Sequence, residues 1–430
     1  MTAPATDLRP RLRDDVIIGP PLRLRGDRVH YMRDALTGAS YRIGPREHFV
    51  MSRMTGAHTI GEIGDEYALT FGRRLGAENW QQMFVLLRER QLLADGTDDA
   101  ALDRLRRDVG EHRRRARRAT TGRLRLVNPD RVMGWLAARL GPAFTPWFII
   151  PALLAIAGVE VVIFGNLGEL FRDIRGPGMS VGFIVAAMAG TWVVHALHEC
   201  AHGLAGKRFG GRVPEIGLLW RFPLLAPYCR VEDMMLFSSR AHRVYTAFAG
   251  TFVGLLVCVP VAVVWSLAPV GEVHRFAAVL LLVCGIGQLL NMVPFIRLDG
   301  YYMLTYALGV VDLRSETARF WKAMLRWPRP DAAGATRAAG ADRYGRAARW
   351  LYGIYGPVSA VCTGGLTVIL FVAWYRLLTY WGGPLFGALM LTAGLTVSGA
   401  LYVRGRIRRR RTPSTPSTVD TPAPGTNERR

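Results

Sequence analysis

Two histidines lie four residues apart at the end of an apolar stretch, in the sequence His198-Glu199-Cys200-Ala201-His202. On a helix this spacing places both imidazoles on one face, about one turn apart. Two imidazole nitrogens at that separation can share one zinc ion, and the carboxylate of Glu199 can then take a proton from a water molecule in the same site. The pattern predicts one catalytic zinc ion, with His198 and His202 as ligands and Glu199 as the general base.

A catalytic zinc site takes three protein ligands and leaves one position open. Asp299 is the predicted third ligand because it closes a second apolar stretch, where Pro294 should break the helix and Gly300 frees the backbone. The rival carboxylates, Glu232 and Asp233, lie in the loop after the histidine helix and lack this setting. The opposing interpretation is a helix that has just left the membrane and exposes its histidines, since His198 lies ~27 Å along it.

The other histidine and cysteine side chains nearby are interpreted differently. His195 shares the helical face of the two predicted ligands, and we expect it to support them or to face the membrane surface, in preference to acting as a fourth ligand. The five cysteines form no Cys-x-x-Cys pair, and four of them lie in or beside apolar stretches. They are expected to be reduced, apolar core residues without disulfides.

Six apolar runs follow residue 142, and each is close to the ~20 residues with which a helix crosses ~30 Å of hydrocarbon. A soluble chain of 430 residues would need a very large core to bury all six. The sequence therefore predicts a mainly α, six-helix polytopic membrane bundle over residues 143–405, with the lipid bilayer as its partner. The runs are 145–165, 180–205, 244–267, 276–296, 350–374 and 381–403.

Arginine-rich and arginine-poor connections alternate along the predicted bundle. The chain carries 55 Lys and Arg residues against 33 Asp and Glu residues, a formal net charge of +22. Arginine clusters lie before run one, between runs two and three, between runs four and five, and after run six. The other connections carry few arginines. The positive-inside rule then places both termini in the cytoplasm. Anionic lipid accounts for the arginines, so no nucleic-acid partner is expected.

Residues 21–97 have the pattern of a small α+β winged-helix domain. Two strands, 29–33 and 40–43, are predicted around a turn, with helices near 45–54, 60–71 and 77–91. Residues 1–20 are predicted to be an N-terminal tail, 98–142 a basic linker that approaches the membrane, and 406–430 a disordered tail. Between runs two and three, residues 216–228 are predicted to form either a strand or re-entrant segment or a plain loop.

Taken together, the two motifs resemble the site-2 protease family of intramembrane zinc metalloproteases. The resemblance rests on His198-Glu199-x-x-His202 and on Asn291-x-x-Pro294-x-x-x-Leu298-Asp299-Gly300, and it covers residues 145–308. Leu298-Asp299-Gly300-Tyr301-Tyr302 is similar to the bacterial peptide zinc metalloprotease branch. The resemblance implies zinc ligands at the two histidines and the aspartate, water activation by the glutamate, and a substrate-positioning role for Asn291. A buried amide that satisfies the broken helix is the alternative for Asn291.

A second pattern lies in the N-terminal domain: Tyr41-Arg42-Ile43, Gly56-x-x-Thr59-Ile60-x-x-Ile63, Leu86-Leu87 and Leu92-Leu93. It resembles PqqD-like domains, which bind the leader of a ribosomally made, modified peptide as an added strand. The combination implies a membrane zinc metalloendopeptidase that cleaves such a leader. A site-2-type protease that releases a membrane-anchored regulator, a non-enzymatic peptide-binding, export or immunity protein, and a winged helix used only for packing remain as alternatives.

Overall fold

The computed structural model describes residues 7–24, 26–118, 123–175, 180–221, 224–325 and 345–411. Most of these residues are helical. The described residues divide into two compact units, one formed by those within 1–121 and 401–411 and the other by those within 122–400. The expectation of a mainly helical protein with a small strand-containing N-terminal domain is confirmed.

An antiparallel sheet forms part of the N-terminal unit. Its strands are β1 (Val16–Ile18), β2 (Leu22–Leu24), β3 (Asp27–Asp34) and β4 (Ser40–Ile43). The predicted hairpin of β3 and β4 is present, and β3 also pairs with β1 and β2, which the sequence did not predict. Arg13 forms a buried ion pair with Asp34 at 2.6 Å. Because β1 and Arg13 belong to this fold, the domain begins before residue 21, within the segment predicted to be a tail.

Three helices build the hydrophobic core of this unit: α1 (Pro45–Met51), α2 (Ile60–Phe71) and α3 (Ala77–Glu89). The hydroxyl of Thr59 accepts a hydrogen bond from the amide of Glu62, whose carboxylate accepts one from the amide of Thr59, so α2 begins with a capping box. All three helices match the sequence prediction within a few residues. A fourth helix, α4 (Asp99–Arg118), occupies part of the predicted linker.

The second unit begins with β5 (Arg123–Val127) and α5 (Asp130–Arg139). β5 pairs with β6 (Arg212–Arg221), which pairs with β7 (Leu224–Glu232), in an antiparallel sheet. The strand alternative for residues 216–228 is therefore the observed one, with 222–223 outside the described residues. The segment 98–142, predicted to be a linker, instead contributes two helices and a strand, because β5 and α5 pack with elements far along the chain.

Within the described residues, five helices are long and apolar enough to cross a membrane, and we call them membrane-capable helices. They are α6 (Pro146–Gly165), α8 (Val181–Arg208), α9 (Arg240–Leu267), the stretch Glu272–Asn291 and Arg346–Tyr380, which is the first part of α14 (Arg346–Arg411). The stretch Glu272–Asn291 consists of α10 (Glu272–Leu280), a π-helical turn (Leu281–Ile286) and α11 (Gly287–Asn291). The remaining helices are α7 (Leu167–Ile174), α12 (Asp299–Ala307) and α13 (Leu313–Leu325). Helix α9 is central, since it packs against α6, α8, α10 and α12.

The sixth predicted run lies in the second part of α14 (Arg346–Arg411), beyond a kink at Gly383 with φ of 81°. The apolar helix described there, Gly382–Val397, is shorter than a membrane-capable helix. α14 continues through Arg411, so the segment 406–430, predicted to be disordered, begins as a helix, and 412–430 lie outside the described residues.

Candidate metal centre

Three side chains from two helices converge in the second unit. Nε2 of His198 lies 3.0 Å from Oδ2 of Asp299, and Nε2 of His202 lies 3.1 Å from the same oxygen. The two Nε2 atoms are 3.2 Å apart. In the described part of the chain, this is the one group of three or more His, Cys, Asp or Glu side chains whose ligand atoms lie within 4.8 Å of one another.

Helix α8 positions both histidines, and α9 packs against them at a glycine. Ser180 caps the first turn of α8, which then continues through both histidines without a break. A Cβ at Gly250 of α9 would lie 2.4 Å from Nε2 of His202 and 2.7 Å from Nε2 of His198. Because no side chain fits at these distances, the close approach of α9 to the imidazoles requires glycine.

Asp299 reaches the histidines because the chain breaks between two helices. Helix α11 ends at Asn291 and α12 begins at Asp299, with Pro294 in the connection, as the sequence predicted. The backbone folds back so closely that a Cβ at Gly300 would lie 2.0 Å from the carbonyl oxygen of Met292. Glycine at position 300 is therefore a condition for this turn.

Helix α14 supplies hydrogen bonds to this connection. The hydroxyl of Tyr355 donates to the carbonyl of Pro294 at 3.0 Å, and the hydroxyl of Ser359 donates to the carbonyl of Phe295 at 2.7 Å. Carbonyls freed by an interrupted helix need such donors when they are away from water. The position of Asp299 therefore depends on α14 as well as on its own turn.

Hydrogen bonds orient the converging side chains. Nδ1 of His202 lies 2.8 Å from the carbonyl oxygen of Thr246 on α9. Since a carbonyl only accepts, Nδ1 carries a proton, and Nε2 is the nitrogen that presents a lone pair when the imidazole is neutral. The amide nitrogen of Asn291 donates to Oδ2 of Asp299 at 2.7 Å, and the hydroxyl of Thr251 lies 3.4 Å from that oxygen.

The set of atoms fits a divalent cation with nitrogen and oxygen ligands. Burial would raise the pKa of Asp299, but hydrogen bonds with His198 and His202 hold that pKa below its usual range, so the side chain is a carboxylate. In a tetrahedral zinc site with bonds of ~2.0–2.1 Å, ligand atoms lie about 3.3 Å apart, which is near the observed separations. Zinc and several other transition metals accept imidazole and carboxylate ligands, and three ligands leave one position for a substrate or water.

Glu199 follows the first histidine on α8, and the sheet holds its carboxylate. Oε2 of Glu199 accepts a hydrogen bond from the backbone amide of Cys229 on β7 at 2.7 Å. Cys229 lies opposite Ile216 of β6, and among the described residues β7 has no partner strand on its other side. The amide that binds Glu199 therefore lies on the free edge of β7.

The remaining sequence candidates lie outside the converging group. Nδ1 of His195 lies 3.0 Å from the carbonyl of Thr191, one turn earlier on α8. Asp233 and Glu232 lie 3.1 Å and 3.6 Å from the guanidinium of Arg212. The structure thus brings Asp299, and neither rival carboxylate, to the histidines.

Sequence reasoning did not identify the part of α9 that contacts the site. Thr246, Gly250 and Thr251 all lie against the converging side chains. Their signal in the sequence is a run of small residues, Ala249-Gly250-Thr251, in an apolar helix, since small residues mark close helix approach in membranes. That pattern indicates a close neighbour without saying which helix it is.

Comparisons of the chain with protein-family models, curated proteins and solved structures found no match. The class of protein that the described residues define is therefore a general one. It is a mainly helical protein with membrane-capable helices and a His-His-Asp group that could hold a metal ion.

Proposed function

We propose that this protein is a membrane-embedded zinc metalloendopeptidase of the site-2 protease type. The observation that carries the proposal is the convergence of His198, His202 and Asp299 at the ends of two apolar stretches. Ionisable side chains are costly in such segments and usually serve a function. Glu199, next to the first histidine, adds the base that hydrolysis needs.

Each residue has its own task in the proposed reaction. His198, His202 and Asp299 hold the zinc ion, which when bound polarises a peptide carbonyl and lowers the pKa of water to about 7. Glu199 takes the proton of the attacking water and later delivers it to the leaving amine. Thr246 keeps His202 in the tautomer that presents Nε2.

The contacts of Asn291 support a role in orienting the ligands. Its amide nitrogen lies 2.7 Å from Oδ2 of Asp299 and 3.4 Å from Nε2 of His198. Its side-chain oxygen lies 3.4 Å from the backbone amide of Asp299. We therefore propose orientation of Asp299 as its first task, while contact with the substrate backbone stays the alternative.

The free edge of β7 is the proposed binding site of the peptide to be cleaved. An extended peptide can add to an exposed strand edge through main-chain hydrogen bonds. Because the amide of Cys229 on this edge already contacts Glu199, a peptide bound along β7 would lie beside the base.

In the N-terminal unit, β4 and α3 border a second candidate peptide site. A cavity of ≈ 70 Å³ lies between them, and among the described residues the outer edge of β4 has no partner strand. Apolar side chains from both elements line it, including Tyr41, Ile43, Met83, Leu86 and Leu87. We propose that this PqqD-like unit binds the leader of a ribosomally made precursor, which the membrane site then cleaves.

The proposal includes six membrane spans in a bacterial cell membrane, with both termini in the cytoplasm. Five spans correspond to the membrane-capable helices, and Gly382–Val397 with its flanking turns forms the sixth. The orientation follows from the alternation of arginine-rich and arginine-poor connections.

The deciding experiment uses the full chain in detergent with candidate precursor peptides, and it records product masses and bound zinc. Wild type should hold about one zinc ion and cleave. Glu199→Gln should keep the zinc and lose cleavage by roughly 10²-fold to 10⁴-fold, the typical contribution of general-base catalysis. Glu169→Gln, an exposed change on α7, is the matched control and should cleave normally.

Two other results would redirect the assignment. Capture of the leader with no cleavage by either protein would favour the non-enzymatic binding or immunity protein. Cleavage of a membrane-anchored regulator, with no precursor peptide accepted, would favour the regulatory protease.

A further inference from the structure

A cavity of ≈ 530 Å³ lies where three membrane-capable helices have neighbouring ends. Helix α6 begins at Pro146, α8 ends at Arg208 and α9 begins at Arg240. The cavity is lined by residues next to all three of these ends. Its polar lining residues are Arg208, Ser238, His242 and Tyr245, and its aromatic ones include Phe144 and Phe209.

The polar side chains of this cavity form an unused set of hydrogen-bond donors. A guanidinium, a hydroxyl, an imidazole and a phenol line one space, and none of the four makes a side-chain hydrogen bond to another described residue. No carboxylate is among the lining residues. Such a set suits a ligand that brings several acceptor oxygens and negative charge.

Arg208 is a candidate for binding an anion in this cavity, because neighbouring basic side chains already have carboxylate partners. Its neighbour Lys207 pairs with Asp130 at 2.7 Å, and Arg212 pairs with Asp233 at 3.1 Å. Arg208 itself is exposed and forms no ion pair with a described residue. A positive charge therefore remains without an internal partner at this cavity.

Stacked rings give the cavity an apolar wall. The rings of Phe209 and His242 are parallel within 7° at a centroid distance of 4.2 Å. Phe144 and Tyr245 lie 6.0 Å apart, and Trp147 at the start of α6 is 91% exposed. Aromatic side chains concentrate at the level of lipid headgroups, where one end meets hydrocarbon and the other meets water.

We propose that this cavity binds the phosphodiester headgroup of an anionic phospholipid, with Arg208 as the principal contact of the phosphate. The donors match the phosphate oxygens, the aromatic wall matches the beginning of the acyl chains, and the uncompensated charge selects an anionic lipid over a zwitterionic one. The inference rests on the membrane placement in the proposed function, and it does not depend on peptidase activity.

Native mass spectrometry of the full chain in detergent tests the site with phosphatidylglycerol, phosphatidylcholine and inorganic phosphate as probes. Wild type should retain phosphatidylglycerol in preference to phosphatidylcholine. Arg208→Gln should weaken that binding about tenfold or more, the usual cost of losing a charge-assisted hydrogen bond. Arg240→Gln is the matched control, because it removes the same charge nearby from a side chain that packs at Gly309, outside the cavity lining, and it should bind like wild type.

Ser238→Glu is a second variant, which adds a carboxylate to the cavity and should repel the lipid even if Arg208→Gln fails to fold. Equal phosphatidylglycerol retention by wild type, Arg208→Gln and Ser238→Glu would overturn the proposal. So would Arg208-dependent binding of inorganic phosphate without any preference for phosphatidylglycerol, since the ligand would then be a free anion. The readout needs neither zinc nor peptide, so its failure is distinct from failure of the peptidase.

Discussion

Asp34 in the N-terminal unit and Asp299 in the second unit are both carboxylates in polar networks, but their partners differ in kind. Asp34 is 0% exposed and accepts hydrogen bonds from the guanidinium of Arg13 at 2.6 Å, the amide of Leu36 at 3.0 Å and the hydroxyl of Thr37. Each partner is a donor in every state of the protein. The charge of Asp34 is therefore compensated within the fold.

Asp299 instead lies among atoms that can also be acceptors. Asn291 donates to it, whereas Nε2 of His202, 3.1 Å away, donates only while the imidazole is protonated. In the neutral imidazole Nε2 presents a lone pair, because the other nitrogen donates to Thr246. Nε2 of His198 lies 3.0 Å away on the other side. A carboxylate whose neighbours all donate hydrogen bonds has a structural role. A carboxylate that lies beside other acceptor atoms can bind a cation together with them.

The largest effect should come from removing a ligand on the Asp299 side of this comparison. His202→Ala should reduce bound zinc from about one ion per chain to none, and cleavage by at least about 10³-fold, because two ligands do not hold a catalytic zinc ion. Elemental analysis of the purified protein measures the zinc. His195→Ala is the control and should keep it. Full zinc in His202→Ala would show that the converging group is not the metal site.

The counterpart on the other side is Asp34→Ala, which leaves the buried guanidinium of Arg13 with the longer contact to Asp15, at 3.2 Å, as its remaining carboxylate partner. It should destabilise the N-terminal unit by about 3–5 kcal/mol while zinc content stays unchanged. Limited proteolysis of the full chain should then cut within residues 7–118 much faster. Asp14→Ala, which removes an exposed pair with Arg11, should leave the stability of this unit nearly unchanged, because water screens such a pair. Loss of zinc on Asp34→Ala would contradict the division between structural and metal-binding carboxylates.

A third prediction tests the close approach of α9 to the imidazoles. Gly250→Ala places a Cβ 2.4 Å from Nε2 of His202, so the ring must move and zinc affinity should fall about 100-fold. Competition with a chelator measures this affinity. Gly365→Ala in α14, where a Cβ meets nothing within 4 Å, should leave it unchanged. Unchanged affinity in both variants would mean that the ligands do not depend on α9.

The smallest expected effect distinguishes the two roles of Asn291. If its amide orients Asp299, Asn291→Ala should lower zinc affinity about tenfold and leave KM of the zinc-saturated enzyme nearly unchanged. If it holds the substrate backbone, KM should rise while zinc affinity stays constant. Thr251→Val should show a weaker version of the first pattern, because its hydroxyl lies 3.4 Å from the same oxygen.

The elements that the sequence predicted well are those with a strong local pattern. The five membrane-capable helices were found by the length of their apolar runs, and the hairpin of β3 and β4 and the three helices after it by periodicity and turn residues. The missed elements are short or depend on partners elsewhere. β1 and β2 have three residues each, too few for a pattern, and β5 is a strand through its pairing with β6.

For the site, the sequence alone determined that His198 and His202 share one face of a helix and that the chain breaks near Pro294. Both conclusions depend on neighbouring residues and on the geometry of a single helix. Only the tertiary structure decided that Asp299, 97 residues beyond His202, is the carboxylate that joins them. It also decided that α9 approaches at a glycine and that an edge strand holds the proposed base, because such contacts arise from packing between distant segments, which no local pattern encodes.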